Sequence, residues 1–369
     1  MKYLFINSVA GFGSTGRLAV ESCRALMAQG HQCVLAYGRA CGDCADVPTV
    51  RIGSDLACRI HGLESRLLDD QGFGSRLATR RFLKWVEAYD PDVVWLHNLH
   101  GYYLNLPQLF AYLRRRNKRV VWTLHDCWAF TGHCAYFDYV QCQRWKTGCH
   151  HCPEKHAYPK SLLLDGSRRN YRKKRELFTS LSQMELIVPS HWLERRVKQS
   201  FLGKYPVQVR YHQVDRTIFR PRPSTFRQDH HLEGKTILLG VASVWDRRKG
   251  LADFLELAGM LEERYAVVLV GLNPQQRQNL PENVLALPRT ATVEELAEIY
   301  SAADLFLNPS VEETFGMTVL EAQCCGTPAV VYADTACEEV AQTFGGLAVP
   351  RGAENLLEAV NKLTKEPNP

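Results

Sequence analysis

The 369-residue chain has no run of about 18 apolar residues, so no segment of it reads as a transmembrane helix. Its opening segment, residues 1–7, is too short an apolar run for a secretory leader and no cleavage signal follows it. It reads as a first buried strand, and the expected location is the cytoplasm. No repeat of 20–50 residues recurs, which excludes a solenoid or a propeller. Low-complexity tracts are missing too, and with 46% apolar and 23% charged residues the composition excludes a disordered chain. Cysteine, by contrast, is plentiful: thirteen, an odd count. In a reducing compartment these are not read as a disulfide framework. Cys23, Cys33 and Cys58 stand singly and read as small packing residues.

The length exceeds what one core usually holds, so two domains are expected. Apolar runs of strand length alternate with helix-length segments, the pattern of βαβ units and parallel sheets. Strands are expected near residues 2–7, 32–37, 92–97, 119–125, 185–189 and 207–211, then near 236–242, 266–271, 283–287, 305–308 and 329–332. Helices are expected over 250–261, 293–301 and 316–325. The polar stretch 212–234, with Arg220-Pro221-Arg222-Pro223, reads as a linker between domain 1–211 and domain 235–369. Residues 127–159 break the alternation. They form an insert rich in Cys, His, Gly and aromatic residues, and so long an irregular segment is usually functional or stapled.

Charge is uneven. Residues 1–205 carry 30 Lys and Arg against 17 Asp and Glu, whereas residues 206–369 carry 15 against 22. Two basic runs, 114–119 and 168–175, fit an anionic partner such as a membrane surface, a lipid diphosphate or a nucleic acid; solvated helical faces are the plainer reading.

Four motifs could carry chemistry. Strand, glycine loop and helix follow one another at Gly11-Phe12-Gly13-Ser14-Thr15-Gly16, an order suited to phosphate, although no acid completes a dinucleotide fingerprint. His125-Asp126 ends a strand, where ligands of open parallel sheets sit, and His97, Asn98 and His100 follow another strand on the same side. Arg247-Arg248-Lys249 precedes a helix start, a cationic turn suited to a diphosphate or simply to solvent. Glu313 and Glu321 flank Phe315-Gly316-Met317, the first in a loop and the second in a helix's second turn, so that both could grip hydroxyls. Asp90-Pro91-Asp92 precedes a strand and reads as a turn rather than a metal motif; Cys41-Gly42-Asp43-Cys44 is read as a loop ahead of a redox or metal site.

Together these motifs resemble the GT-B retaining glycosyltransferases of the family 4 type, most specifically in EETFGMTVLEA followed by GTPAVV. The resemblance spans nearly the whole chain. It implies an α/β fold of two Rossmann-like, doubly wound parallel-sheet domains facing a cleft. It also implies transfer of a sugar from a nucleoside diphosphate sugar to a glycan acceptor. Glu313 would then contact the donor sugar near His125, as the catalytic pair. Glu321 would hold the ribose, Lys249 with Arg247 or Arg248 the diphosphate, and Gly13, Phe315, Gly316 and Met317 would complete the donor site. His97, Asn98 and His100 would face the acceptor. Many members have Gly-Arg where this chain has Ala242-Ser243, so Arg247 or Arg248 is expected to substitute. No catalytic metal is expected, since side-chain cations meet the leaving group.

The segment from Trp122 to Cys134 and on through Trp145-Lys146-Thr147-Gly148-Cys149 to Cys152-Pro153 is similar to that of an exopolysaccharide and colanic-acid-type subgroup that carries such an insert. That resemblance implies a lipid-diphosphate-linked acceptor, exopolysaccharide, capsule or O-antigen synthesis, and a place on the inner face of the cytoplasmic membrane. Cys134, Cys142, Cys149 and Cys152 include one Cys-x-x-Cys pair, which suits a structural zinc. Free thiols and an iron–sulfur cluster are the other readings. Two rival functions are a sugar-nucleotide epimerase on the same fold and a zinc-stapled nucleic-acid-binding protein. The latter leaves the Glu313/Glu321 segment unexplained, so no nucleic acid is expected.

Overall fold

The computed structural model describes residues 1–364. The chain divides into two compact units, Met1–Arg210 and Tyr211–Pro369.

In the first unit seven parallel strands form one sheet: β1 (Lys2–Asn7), β2 (Gln32–Tyr37), β3 (Thr49–Arg51), β4 (Val93–Leu96), β5 (Arg119–Thr123), β6 (Met184–Val188) and β7 (Val207–Val209). Their order is β3-β2-β1-β4-β5-β6-β7. Leu4 lies opposite Val34 on one side and Val94 on the other. The strands read as continuous apolar runs because helices cover both faces of a parallel sheet. The second unit's sheet contains β8 (Thr236–Val241), β9 (Tyr265–Val270), β10 (Val284–Leu287), β11 (Leu305–Asn308), β12 (Ala329–Tyr332) and β13 (Leu347–Val349), in the order β10-β9-β8-β11-β12-β13. Alternate residues of its strands enter two cores: Leu239 and Val268 on one face, Leu238 and Val267 on the other.

Both sheets reverse their winding at one point, between β1 and β4 in the first and between β8 and β11 in the second. Crevices open there, at the carboxyl ends of the strands.

Eleven strands lie within a residue or two of their expected positions; the three-residue edge strands β3 and β13 carry too little apolar sequence to be read. The stretch 212–234 is not a free linker. It packs on the second unit, with Phe219 and Phe226 inside that unit's core. The insert is also better ordered than its lack of periodicity suggests. Phe130, Phe137 and Trp145 are fully buried in a small aromatic core, with Phe137 stacked on Trp145 at 4.8 Å. Lys174, on the buried stripe of the helix Ser167–Phe178, donates to the carbonyls of Trp128 (2.8 Å) and Thr131 (3.2 Å).

Candidate functional site: two strand-end clusters

In the first unit, β1 ends in the fully buried Asn7. Its amide donates to the carbonyls of Val9 (2.9 Å) and Thr15 (3.2 Å), and its Oδ1 accepts the Asn98 N–H (3.2 Å). One side chain therefore ties the glycine loop to the segment after β4. The loop leads into the helix Gly13–Ala28, which has no side-chain cap and no acidic residue in its first turn. Its leading N–H groups remain available to an anion. Gly13 sits at φ 64° with open space where a Cβ would point, as close approach by a ligand requires.

The histidines expected near the acceptor come together with the expected catalytic one. His97 Nδ1 and His125 Nε2 lie 3.0 Å apart with their rings stacked, so one ring donates and the other accepts. His100 bonds Asp126 Oδ2 at 2.8 Å and the Tyr158 hydroxyl at 2.9 Å. His97, Asn98, His100, His125 and Asp126 line a single narrow crevice. The hydrogen bonds of Asp126 run to His100 and to the Trp128 N–H. The insert reaches the crevice through Trp128 and Ala129, which line it, and Tyr158, an insert residue with no sequence signal, ties it to His100. Asp90 and Asp92, as expected, serve a turn at the opposite strand ends. Asp90 pairs with Lys118, and Asp92 accepts the Lys2 N–H.

The second cluster sits at the β8/β11 reversal. After β8 the chain makes a short turn, Arg247–Lys249, nucleated by Asp246, which accepts the Arg248 N–H at 3.0 Å. After β11, Asn308 accepts the Ser310 N–H at 3.1 Å and fixes the loop that carries Glu313. Lys249 Nζ donates to Glu313 Oε1, so the expected diphosphate cation and the expected sugar ligand meet directly. Arg248 is drawn to Asp246 (2.8 Å) and toward the buried Glu312 (3.7 Å), and Arg247 is exposed beside it. The helix Met317–Cys324 starts at Gly316 without a side-chain cap. Gly316 has φ 99°, and a Cβ there would lie 2.6 Å from Cys337 Sγ, so only glycine lets the loop turn into the helix at this depth. Glu321 accepts the Tyr300 hydroxyl at 3.0 Å, which fixes its carboxylate from the fully buried side. Behind Phe315 lies a cavity of about 550 Å³, lined in part by Tyr211, His212 and Phe344. Burial holds His212 down at about 4. This cavity was not foreseen, because residues 212–216 were read as linker.

Within the insert, the Cys149 sulfur accepts the Gly132 N–H at 3.2 Å. Cys134 is buried and hydrogen-bonded to Cys152, which holds the Cys152 thiol below its usual value and raises that of Cys134. Burial pushes the Cys149 thiol up to about 12, with Cys152 and Cys142 adding to the rise. Among the described residues, no three His, Cys, Asp or Glu side chains are gathered as a group that could hold a metal ion. The four thiols approach one another without forming a cage.

Two doubly wound sheets, each with a polar cluster at its reversal point, define a class of two-domain glycosyl-transfer folds. The model for Glycosyltransferase Family 4 matches residues 15–217, more than half of the chain, and that for Glycosyl transferases group 1 matches residues 223–369. The chain belongs to Glycosyltransferase Family 4. It is 37% identical over 107 residues to the putative colanic acid biosynthesis glycosyl transferase WcaC of Escherichia coli, which covers 27% of this chain and 26% of that one. It is 31% identical over 147 residues to the N,N'-diacetylbacillosaminyl-diphospho-undecaprenol alpha-1,3-N-acetylgalactosaminyltransferase of Campylobacter jejuni, covering 38% and 39%. The matched stretches thus span well under half of these relatives. Among solved structures, Anabaena HepE in complex with UDP and glucose superposes with a TM-score of 0.67 at 15% identity, over 99% of this chain and 90% of that one.

Proposed function

We propose that the chain transfers a sugar from a nucleoside diphosphate donor to a hydroxyl of a lipid-linked glycan, with retained anomeric configuration, during surface-polysaccharide assembly. The observation that carries this is the Lys249–Glu313 contact beside an uncapped helix end at the β8/β11 reversal. As the bond to the anomeric carbon breaks, the diphosphate gathers negative charge. Lys249, the exposed Arg247 and the first N–H groups of the helix Met317–Cys324 meet that charge with groups already in place. Glu313, released from Lys249 as phosphate takes its place, accepts hydroxyls of the donor sugar, and Glu321 those of the ribose. The His125 crevice takes the acceptor hydroxyl, and positioning supplies much of the rate.

Support for the donor class comes from HepE, whose structure contains UDP and glucose; support for a lipid-linked acceptor comes from the undecaprenol-linked substrate in the name of the Campylobacter relative. The same reading places the protein on the inner face of the cytoplasmic membrane. The family resemblance is the support for retention. Cys134, Cys142, Cys149 and Cys152 would hold a structural zinc if they closed on it. The Gly132 N–H that donates to the Cys149 sulfur is one of the backbone bonds that a thiolate cluster needs. Such a metal would order the insert and take no part in the transfer.

The test is a thermal-shift screen of UDP-, GDP- and ADP-sugars, followed by transfer assays with the sugar that binds. A true donor raises the melting temperature, and the rise grows with the logarithm of its concentration above the Kd. No shift with any nucleotide sugar would end the proposal.

A further inference from the structure

One helix of the first unit is built inside out. Along Asp55–Leu68 the residues turned to the interior are His61 and Ser65, whereas Leu56, Ile60 and Leu63 are 67%, 52% and 60% exposed. Their spacing of four and three residues forms a single stripe along the helix. An ordinary surface helix would present the reverse. The stripe does not end with the helix. The Leu162 and Leu164 N–H groups bond the carbonyls of Arg66 (2.7 Å) and Leu67 (3.1 Å), which seats three further apolar residues against the helix's last turn. Leu162, Leu163 and Leu164 are 48%, 66% and 50% exposed. Six large aliphatic side chains thus stand in solvent side by side, a patch that a protein does not keep without a use.

The surroundings of the patch are cationic. Arg59 and Arg66 project from the helix itself, Lys160 precedes the leucines, and Arg168 and Arg172 lie on the next helix, all exposed. That helix is anchored here because Arg169 donates to the carbonyls of Leu68 and Asp69, each at 3.0 Å. Carboxylates at the patch are fewer: Asp55 is held by Arg51, Asp165 accepts the Cys152 and Ser167 N–H groups, and Glu64 is exposed on the helix. In the other basic run, carboxylates offset part of the charge. Arg115 and Arg116 reach Glu87, Lys118 pairs with Asp90, and Arg119 with Glu185. Exposed cations therefore border the exposed leucines and outnumber the carboxylates beside them.

The geometry points to this leucine stripe, the outer face of Asp55–Leu68 together with Leu162–Leu164, as the surface that docks the protein on an anionic lipid bilayer. Aliphatic side chains would enter the headgroup–acyl boundary while the arginines meet lipid phosphates. A second copy of the chain fits less well, because a symmetric contact would bring two patches rimmed by the same positive charge together. The surface also adjoins the acceptor crevice. Tyr158, which bonds His100, precedes Leu162 by four residues, so a lipid-linked substrate in the bilayer would present its glycan close to His125. The inference sharpens the membrane-side part of the proposed function, and its test involves no sugar transfer.

The test is sedimentation with vesicles of phosphatidylcholine alone or with 30% phosphatidylglycerol. Wild-type protein is expected to bind the acidic vesicles at least tenfold more tightly. The double variant Ile60→Glu/Leu163→Glu should lose at least tenfold, and Arg115→Glu should stay within about twofold. Circular dichroism and the donor-induced thermal shift should be unchanged in all three proteins, which separates lost docking from lost folding and keeps the donor reading independent. The proposal is overturned by equal binding of wild type to both vesicle types, or by a double variant that binds like wild type. A wild-type dimer that the double variant dissolves, with no vesicle binding by either, would also overturn it.

Discussion

The clusters at the two sheet reversals share a framework and differ in chemistry. Each strand that enters the reversal, β1 and β11, ends in a buried asparagine that fixes the following loop by hydrogen bonds, Asn7 in one unit and Asn308 in the other. What hangs on that framework differs. The first cluster is a stack of imidazoles whose bonds are to each other, to Asp126 and to a phenol. The second is a set of fixed charges, Lys249 against Glu313 and Arg248 between Asp246 and Glu312. Imidazoles donate or accept a single proton and suit a hydroxyl; fixed cations suit a leaving diphosphate. One fold element, the strand-end crevice, has been fitted with two chemistries by changing only loop residues.

The largest effect should come from the charged cluster. Glu313→Ala and Lys249→Ala should each lower kcat by about 10²–10³ with the correct donor, since each removes a preorganised charge contact. Circular dichroism should be unaltered. If either variant turns over like wild type, the contrast between the clusters has been misassigned.

The histidine cluster should respond less and on the other substrate. Asp126→Asn weakens the partner of His100, and a hydrogen bond to a charged group is worth about 1.5–3 kcal/mol. The KM for the acceptor should rise by roughly tenfold or more, where about 1.4 kcal/mol is one factor of ten. The donor-induced thermal shift should be unchanged. A donor shift that disappears in this variant would break the division of labour.

The insert sharpens the comparison further, because its Tyr158 hydroxyl is bonded to His100 of the first cluster. Protein purified without chelators should contain about one zinc per chain, and Cys149→Ser should lose it together with acceptor turnover while still binding donor. Metal analysis finding no zinc, or four thiols that titrate freely in the native protein, would remove the metal and leave the aromatic core to order the insert.

The smallest effect is a pH dependence. Burial pushes His133 down, but its 2.6 Å bond to Asp69 outweighs this and the net shift is upward from 6.5. The pair should therefore stabilise the fold fully below about pH 6.5 and lose that contribution as pH rises through the raised value. Asp69→Asn should lower stability by about 1–2 kcal/mol at pH 6, with the gap to wild type narrowing at higher pH. A gap independent of pH in urea titrations would assign the loss to packing rather than to ionisation.

Much of this was legible beforehand, for physical reasons that differ by element. A strand buried on both faces needs a continuous apolar run, so β1, β8 and β9 declare themselves, whereas the three-residue edges β3 and β13 do not. Lys174 was hidden in a basic run, although it sits on a stripe with Asn170, Tyr171 and Phe178 that helical spacing could have revealed. Tyr158 had no local signal at all, since its partner His100 is 58 residues away.

By itself the sequence determined the alternation of strand and helix, the polar residues placed at strand ends and the excess of cations in the first half. These are local properties, written in the period of apolar residues and in the turns that follow them. Tertiary structure decided which of those residues meet. Lys249 and Glu313 are 64 positions apart and touch only because β8 and β11 are neighbours across a reversal in winding. Whether residues 212–234 hang free or enter a core, and whether the leucines of Asp55–Leu68 point inward or to solvent, depends on what packs against them. No local period records that, because the same stripe satisfies a core or a bilayer equally well.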